Sequence, residues 1–235
     1  MKLFGIEIDE RSRVEVLKDL TGRIDSSRKV FVVTANALIM TRVWEDPSYR
    51  EAVKKADLVI PDGAGIALAA RLKGKRIHKY PGVELAQDLL RMGRKKGWRF
   101  YLLGARLEVV RKLAAKLEDE GVNVVGFHHG YFDGEGPAGE IASLKPDVVF
   151  VAMGVPKQEL WIVRNLEKFE KGLFIGVGGT FDVLAGFKRR APRWMVKMGL
   201  EWLYRILQEP HRRWKVALKL LKFLILVLSD RGDGR

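Results

Sequence analysis

The chain has 235 residues, 47% apolar and 31% charged, with no cysteine. That length suits one large α/β domain, or one domain with an appendage, and a sizeable core; the missing cysteine excludes disulfides, thiolate catalysis and cysteine-based metal sites. Lys and Arg number 43 against 29 Asp and Glu, and the net charge of +14 favours anionic partners: nucleic acid, anionic lipid or phosphorylated substrates.

The opening "MKLFGIEIDE" carries acids and no long apolar core, so it does not read as a signal peptide. "KLFGIEI" is expected to add a strand at a sheet edge. Short β-branched and aromatic runs then recur, each followed by a small-residue turn and a helical pattern. The predicted strands are Val30–Val33, Leu58–Ile60, Phe100–Leu103, Val122–Phe127, Val148–Ala152 and Leu173–Val177. They are apolar throughout rather than alternating, as expected when helices cover both sheet faces. The predicted fold is therefore α/β: a Rossmann-like, mostly parallel sheet flanked by helices over 1–190, with a helical C-terminal appendage over 191–235.

In such sheets ligands bind beyond the carboxyl ends of the strands. The candidates are thus Thr34 and Asn36, Asp62 and Gly63, Gly104 and Ala105, His128 to Tyr131, Gly154 to Gln158, and Gly178 to Asp182. Their glycines let backbone N–H groups approach phosphates. In "LVIPDGAGIALAA", Asp62 ends an apolar run and starts a helix; helix cap, metal ligand, nucleophile and general base all stand open. In "MGVPKQELW", Pro156 suits a first helical turn and sets Gln158 near a helix N-terminus facing the crevice. There it binds a sugar hydroxyl or a base edge, or else it or Glu159 caps the helix. Asp182 reads as ribose-binding or as a structural acid for the Gly178–Thr180 turn. The Gly-rich, acidic stretch His128–Glu140 reads as a mobile lip.

The final fifty residues differ. Leu200, Leu203 and Leu207 form one helix face and Pro210 interrupts it. From Trp214 a second helix puts Trp214, Ala217, Leu218, Leu221, Leu224, Ile225 and Leu228 on one side and Lys215, Lys219 and Lys222 on another arc. Its longest apolar run is too short to span a bilayer. Two readings stand open: an interfacial helix with lysines toward anionic headgroups, or a helix packed on the domain or on a second copy. The exposed apolar tail predicts self-association when no membrane is present.

"GVGGTFDVLAG" begins like a dinucleotide fingerprint but has Phe181 where the third Gly belongs, and "LKGKR" lacks the leading Gly of a P-loop. No cofactor is therefore expected. No metal is expected either: of the four histidines only His128 and His129 are adjacent, and no Asp-x-Asp pair occurs. Much of the excess positive charge lies in the tail, which fits lipid diphosphate and membrane better than nucleic acid.

Taken together, "VVTANA", "ADLVIPDGAGI", "GVELAQDLL", "YLLGA", "GFHHGYF", "PDVVFVAMGVPKQELWI", "GVGGTFDVLAG", "KRRAPRWM" and "GLEWLYRILQEPHR" resemble the WecG/TagA/CpsF family of glycosyltransferases, in order, from Leu3 to Trp214. The resemblance implies an inverting, metal-independent transfer of an N-acetylhexosamine, typically N-acetylmannosamine from its UDP donor. The acceptor is polyprenyl-diphosphate-linked N-acetylglucosamine, the bond β-1,4, and the product feeds teichoic acid or other surface-polysaccharide assembly at the cytoplasmic membrane face. Alternatives are a related UDP-sugar transferase with another donor, or a non-catalytic nucleotide-binding protein of this fold.

Inversion is one in-line displacement, needing a base for the acceptor hydroxyl and positive charge for the leaving UDP. By resemblance Asp62 is the base, and Arg205 and Arg212 from the appendage neutralise the diphosphate, with Lys215 at a third basic position. Thr34, Asn36 and Gln158 match polar positions around the sugar. Gly63, Gly104, Gly154, Tyr131, Gly178, Gly179 and Asp182 are the remaining binding candidates. The segment "HKYPGVEL" departs from the family, which carries an acidic–Arg pair and a small residue before "GVDL"; lying near the sugar pocket, it bears on donor identity. A helix start also stabilises the ionised form of Asp62, which opposes proton abstraction.

Overall fold

The computed structural model describes residues 1–192, 194, 195, 198, 203, 204, 207 and 210–230, with the stretch 210–217 described by its helical backbone alone. Six parallel strands form one sheet: β3 (Lys29–Ala35), β4 (Leu58–Pro61), β5 (Phe100–Gly104), β6 (Val124–His128), β7 (Val148–Ala152) and β8 (Gly172–Gly176). Their spatial order is β4-β3-β8-β7-β5-β6. All six coincide with the apolar runs of the sequence, and the absence of alternation has its expected cause. Phe31, Val33, Val59, Leu103, Val149 and Phe174 enter one core layer, while Val30, Val32, Leu58, Leu102, Val148 and Ile175 enter the other.

The opening segment departs from expectation. β1 (Lys2–Leu3) and β2 (Ile6–Glu7) pair with each other, antiparallel, apart from the main sheet. The reason is the two-residue turn Phe4–Gly5, both at positive φ (51° and 79°), which reverses the chain at once. The hairpin then touches the sheet through Asp9, whose N–H donates to the Val59 carbonyl at 2.9 Å. Leu3, Phe4, Ile6 and Ile8 are buried, so the segment serves as a core plug.

The helices sort by face. α2 (Ala37–Glu45), α3 (Pro47–Lys54), α4 (Gly63–Leu72), α7 (Ala138–Ser143) and α8 (Lys157–Asn165) cover the side that also receives the hairpin. α1 (Arg13–Asp25), α5 (Gly82–Lys96), α6 (Leu107–Asp119) and α9 (Thr180–Leu184) cover the other. Local chemistry sets their ends. Ser12 and Glu15 form a reciprocal capping box on α1, Asp46 caps α3 ahead of Pro47, and Gly97 closes α5 in the left-handed region. β3 feeds α2 on one face and its neighbour β8 feeds α9 on the opposite face. A crevice must open between them at their carboxyl ends.

α10 (Pro210–Ser229) lies against α2 and α4. Phe223 and Val227 are buried in the core, whereas Leu218, Leu221, Ile225 and Leu228 stand exposed along one stripe. One side of this helix therefore packs on the domain, while the other leaves an apolar stripe exposed. Lys222 pairs with Glu45 of α2, and Lys73, just past the end of α4, pairs with Asp230 at 2.9 Å. No helix among the described residues is long and apolar enough to cross a membrane.

Candidate active site

A cavity of about 110 Å³ sits at the predicted crevice, beyond the ends of β3, β4, β7 and β8. It is lined by Thr34, Asn36, Asp62, Gln158, Gly178 and Gly179 among the candidates, joined by Ile39, Pro81, Gly82, Val83, Val155, Gly176, Val177 and Thr180. Polar strand-end residues far apart in sequence are thus brought to one place because every strand is parallel.

Each has a definite local role. Thr34, almost wholly buried, donates its hydroxyl to the Gly176 carbonyl at 3.1 Å and so stitches β3 to β8 beneath the cavity. Asn36 is the N-cap of α2, its Oδ1 accepting the N–H groups of Leu38 and Ile39 at 3.0 and 3.1 Å. Asp62 is the N-cap residue of α4 by position, but its carboxylate makes no capping bond there. Of the roles open in the sequence, capping of its own helix therefore falls away. Among the described residues no group of three or more His, Cys, Asp or Glu is placed to hold a metal ion.

The third wall was missed as a unit by the strand-end rule. Pro81, Gly82 and Val83 arrive from the crossover between α4 and β5, at the start of α5. Tyr80 holds that start in place. Its N–H donates to the Pro61 carbonyl at 2.8 Å, and its buried hydroxyl donates to Asp88 at 2.7 Å. Arg13 stacks over the Tyr80 ring at 4.7 Å and pairs with Glu84 at 2.5 Å; Arg190 pairs with Glu84 from the other side. The sequence signal for this wall was the departure of "HKYPGVEL" from the family pattern, which the resemblance set near the sugar pocket.

Helix starts converge on the cavity: those of α2, α4 and α5 are lining residues or their neighbours, and α8 and α9 begin beside it. Partial positive charge at the longer helix ends suits an anionic ligand. The cavity is smaller than a cleft that encloses a whole drug-sized ligand.

Behind the cavity lies a buried acid. Glu159, 1% exposed, accepts from Gln158 Nε2 at 2.6 Å, and burial pushes its carboxyl up to about 7. The Tyr49 hydroxyl faces it from α3, and burial likewise holds that phenol in its neutral form.

Other candidates sit elsewhere. Gly104 does not line this cavity; a side chain there would meet the Ala152 backbone at 2.5 Å, so glycine serves strand packing. Tyr131 is 71% exposed on the stretch after β6, outside the lining, as is Asp182 on α9. The stretch read as a lip is pinned near its middle: Trp161 Nε1 donates to the Glu135 carbonyl at 2.9 Å, and Lys168 pairs with the Glu135 side chain. Gly63 follows Asp62 and Gly154 is bonded to Gln158, so both border the lining. Arg205 lies outside the described residues, and the side chains of Arg212 and Lys215 do too, although both fall within helix α10.

Known proteins resemble this chain over most of its length. The profile of the "Glycosyl transferase WecG/TagA/CpsF family" matches residues 1–235. A protein of Bacillus subtilis (strain 168) named N-acetylglucosaminyldiphosphoundecaprenol N-acetyl-beta-D-mannosaminyltransferase is 34% identical over 216 residues, 90% of this chain and 84% of that one. Proteins of the same name from Staphylococcus aureus are 34% identical over 213 residues (strain MW2; 88% of this chain, 84% of the relative) and 35% over 211 residues (strain NCTC 8325 / PS 47; 87% and 83%). With its sheet, crevice and motifs accounted for along the full length, the chain belongs to the WecG/TagA/CpsF family of glycosyl transferases.

Proposed function

We propose that the protein transfers N-acetylmannosamine from UDP-N-acetylmannosamine to polyprenyl-diphosphate-linked N-acetylglucosamine, with inversion and a β-1,4 bond, in surface-polysaccharide or teichoic acid synthesis. The observation that carries this reading is the meeting of Thr34, Asn36, Asp62 and Gln158 at one cavity between oppositely wound strands, in a chain whose relatives carry the name of that reaction.

The chemistry of this reading is a single in-line displacement. The acceptor hydroxyl oxygen attacks the anomeric carbon from the face opposite the diphosphate. Its proton passes to the Asp62 carboxylate, and the anomeric C–O bond breaks with its electron pair leaving on UDP. The ring of helix starts favours the anionic donor, and Arg205, Arg212 and Lys215 of the 191–235 appendage supply the formal charge that the leaving diphosphate needs. Asp62 suits the base because its carboxylate does not cap its own helix.

Residence on the inner face of the cytoplasmic membrane is supported by α10. Its exposed stripe Leu218, Leu221, Ile225 and Leu228 adjoins the exposed Lys219 and Lys222, and α4, on which it packs, exposes Leu68 and Leu72. Apolar side chains enter the acyl boundary while lysines meet anionic headgroups.

The test is a UDP-release screen offering each UDP-sugar with a short-chain polyprenyl-diphosphate-GlcNAc analogue. Turnover with UDP-N-acetylmannosamine is expected, with a loss of about 10²- to 10⁴-fold in Asp62→Asn, the usual worth of a positioned base. Near-parent turnover in that variant removes Asp62 from the role. Pro81, the last residue of the departing "HKYP", lines the cavity together with Gly82 and Val83, which favours a second reading: the same reaction with a different UDP-sugar. Turnover confined to another donor in the same screen selects it.

A further inference from the structure

Gln158 reaches the cavity wall, yet the protein orients its amide closely. Oε1 accepts the N–H of Gly154 at 3.1 Å and of Gly178 at 3.0 Å, while Nε2 donates to Glu159 Oε1 at 2.6 Å. The two glycines belong to separate turns, after β7 and after β8, and both take positive φ (76° and 51°) that a side chain would strain. One carboxamide oxygen therefore ties together the two turns that flank the cavity. Gly176 makes room for it: a Cβ there would lie 2.5 Å from Gln158 Nε2.

Nothing in Gln158 itself decides which way its amide faces. Reversed, it would aim an NH2 group at two N–H donors and lose both bonds. Those two N–H groups favour Oε1 on their side, and the Glu159 carboxyl oxygen reinforces the choice, because it accepts a hydrogen bond and so holds the NH2 end. Glu159 is otherwise costly. It is 1% exposed, and its Oε2 and the facing Tyr49 hydroxyl are both buried without a hydrogen-bond partner of normal geometry. An apolar residue of this size would pack between α8 and α3 without that penalty.

We propose that Glu159 is a positioning residue of the site: by fixing the Gln158 amide it locks the Gly154 and Gly178 turns against each other, without touching substrate. The activity consequence rests on the transfer reaction proposed above; the positional claim does not.

The test compares Glu159→Met, of similar volume but without an acceptor, and Glu159→Gln, which keeps one. Amide hydrogen exchange at Gly154 and Gly178 is expected to quicken about tenfold in Glu159→Met, the equilibrium worth of one buried hydrogen bond, and to stay within about threefold of the parent in Glu159→Gln. The kcat/KM of sugar transfer is expected to fall about tenfold in Glu159→Met and to be restored in Glu159→Gln. In a Gln158→Ala background Glu159→Met is expected to add less than about twofold, because its effect passes through Gln158. Unchanged exchange at both glycines, or losses that simply add in the double variant, overturns the proposal. Glu159→Leu carries the same expectations if Glu159→Met does not fold. A parent protein with no turnover of any UDP-sugar removes the reaction but leaves the exchange result to decide the positioning role.

Discussion

The turns β3–α2 and β4–α4 stand side by side and are built alike: a buried parallel strand, a small polar residue, then a helix start. Their polar residues behave differently. Asn36 accepts two N–H groups of its own helix, whereas Asp62 accepts none of its helix's N–H groups. The local cause is the next residue. Ala37 starts α2 in ordinary helical geometry, but Gly63 sits at φ 86°, which alters the first turn of α4 where the Asp62 side chain would have to reach back. One turn commits its side chain to stability, and the other keeps its carboxylate out of that task.

Asp62→Asn tests this contrast most severely. Transfer should fall about 10²- to 10⁴-fold, as for loss of a positioned base. Unfolding free energy should move far less than transfer does, because no capping bond is lost and asparagine is as good an N-cap as aspartate. Urea unfolding beside the UDP-release assay reads both. A large stability loss would mean that Asp62 is structural after all.

A second test strikes what the two turns share. The Phe223 ring of α10 lies 3.6 Å from where a side chain at Gly65 would begin, and that same position is 3.0 Å from Ala37 Cβ. Phe223 thus buttresses the first turns of α4 and α2 together. Phe223→Ala should cost about 3 kcal/mol or more, the range for deleting a fully buried aromatic, and should lower transfer although Phe223 lines no part of the cavity. Thermal unfolding and the transfer assay check this; a stability loss with unchanged kcat would show that the tail does not set the catalytic turns.

Much of this was legible in the sequence for one reason. Strands apolar on both faces can only lie within a helix-covered parallel sheet, and that sheet's carboxyl edge gathers Thr34, Asn36, Asp62 and Gln158. What escaped depended on contacts that no local pattern encodes. "KLFGIEI" has the composition of an edge strand, but the Phe4–Gly5 turn chose its partner. Glu159 sits in a first helical turn, where an acid reads as a solvated cap, and only α3 closing over it makes it a buried one. The docking side of α10 was hidden because the helix is apolar on more than one side, so periodicity pointed to the exposed stripe and passed over Phe223 and Val227.

The buried acid offers a third test, which separates its titration from that of Asp62. Burial raises the Glu159 carboxyl from 4.5 to about 7, while its bonds to Gln158 and its own backbone N–H and the nearby Tyr49 hydroxyl pull the other way. A group raised by folding contributes stability that is fully present below its unfolded value and is lost as pH climbs through the folded one. A rise of this size corresponds to about 3 kcal/mol. Glu159→Gln should remove that slope, so its stability relative to the parent improves between about pH 5 and pH 8. Urea midpoints across that range measure it, and parallel curves would show that Glu159 is not strained by ionisation.

The smallest effect is expected at Asn36, and it bears on the contrast from the opposite side. Asn36→Ala removes an acceptor used by two backbone N–H groups and should cost about 1 kcal/mol, the common worth of an N-cap. Asn36→Asp should restore that stability, since a carboxylate caps as well and complements the helix dipole. It also sets a second negative charge on the cavity lining beside Asp62, so transfer should stay low although the fold is recovered. If instead Asn36→Ala unfolds like the parent and loses transfer as heavily as Asp62→Asn, the capping bonds are incidental. Asn36 then belongs with Asp62 as a substrate group, and the two turns differ less than their hydrogen bonds imply.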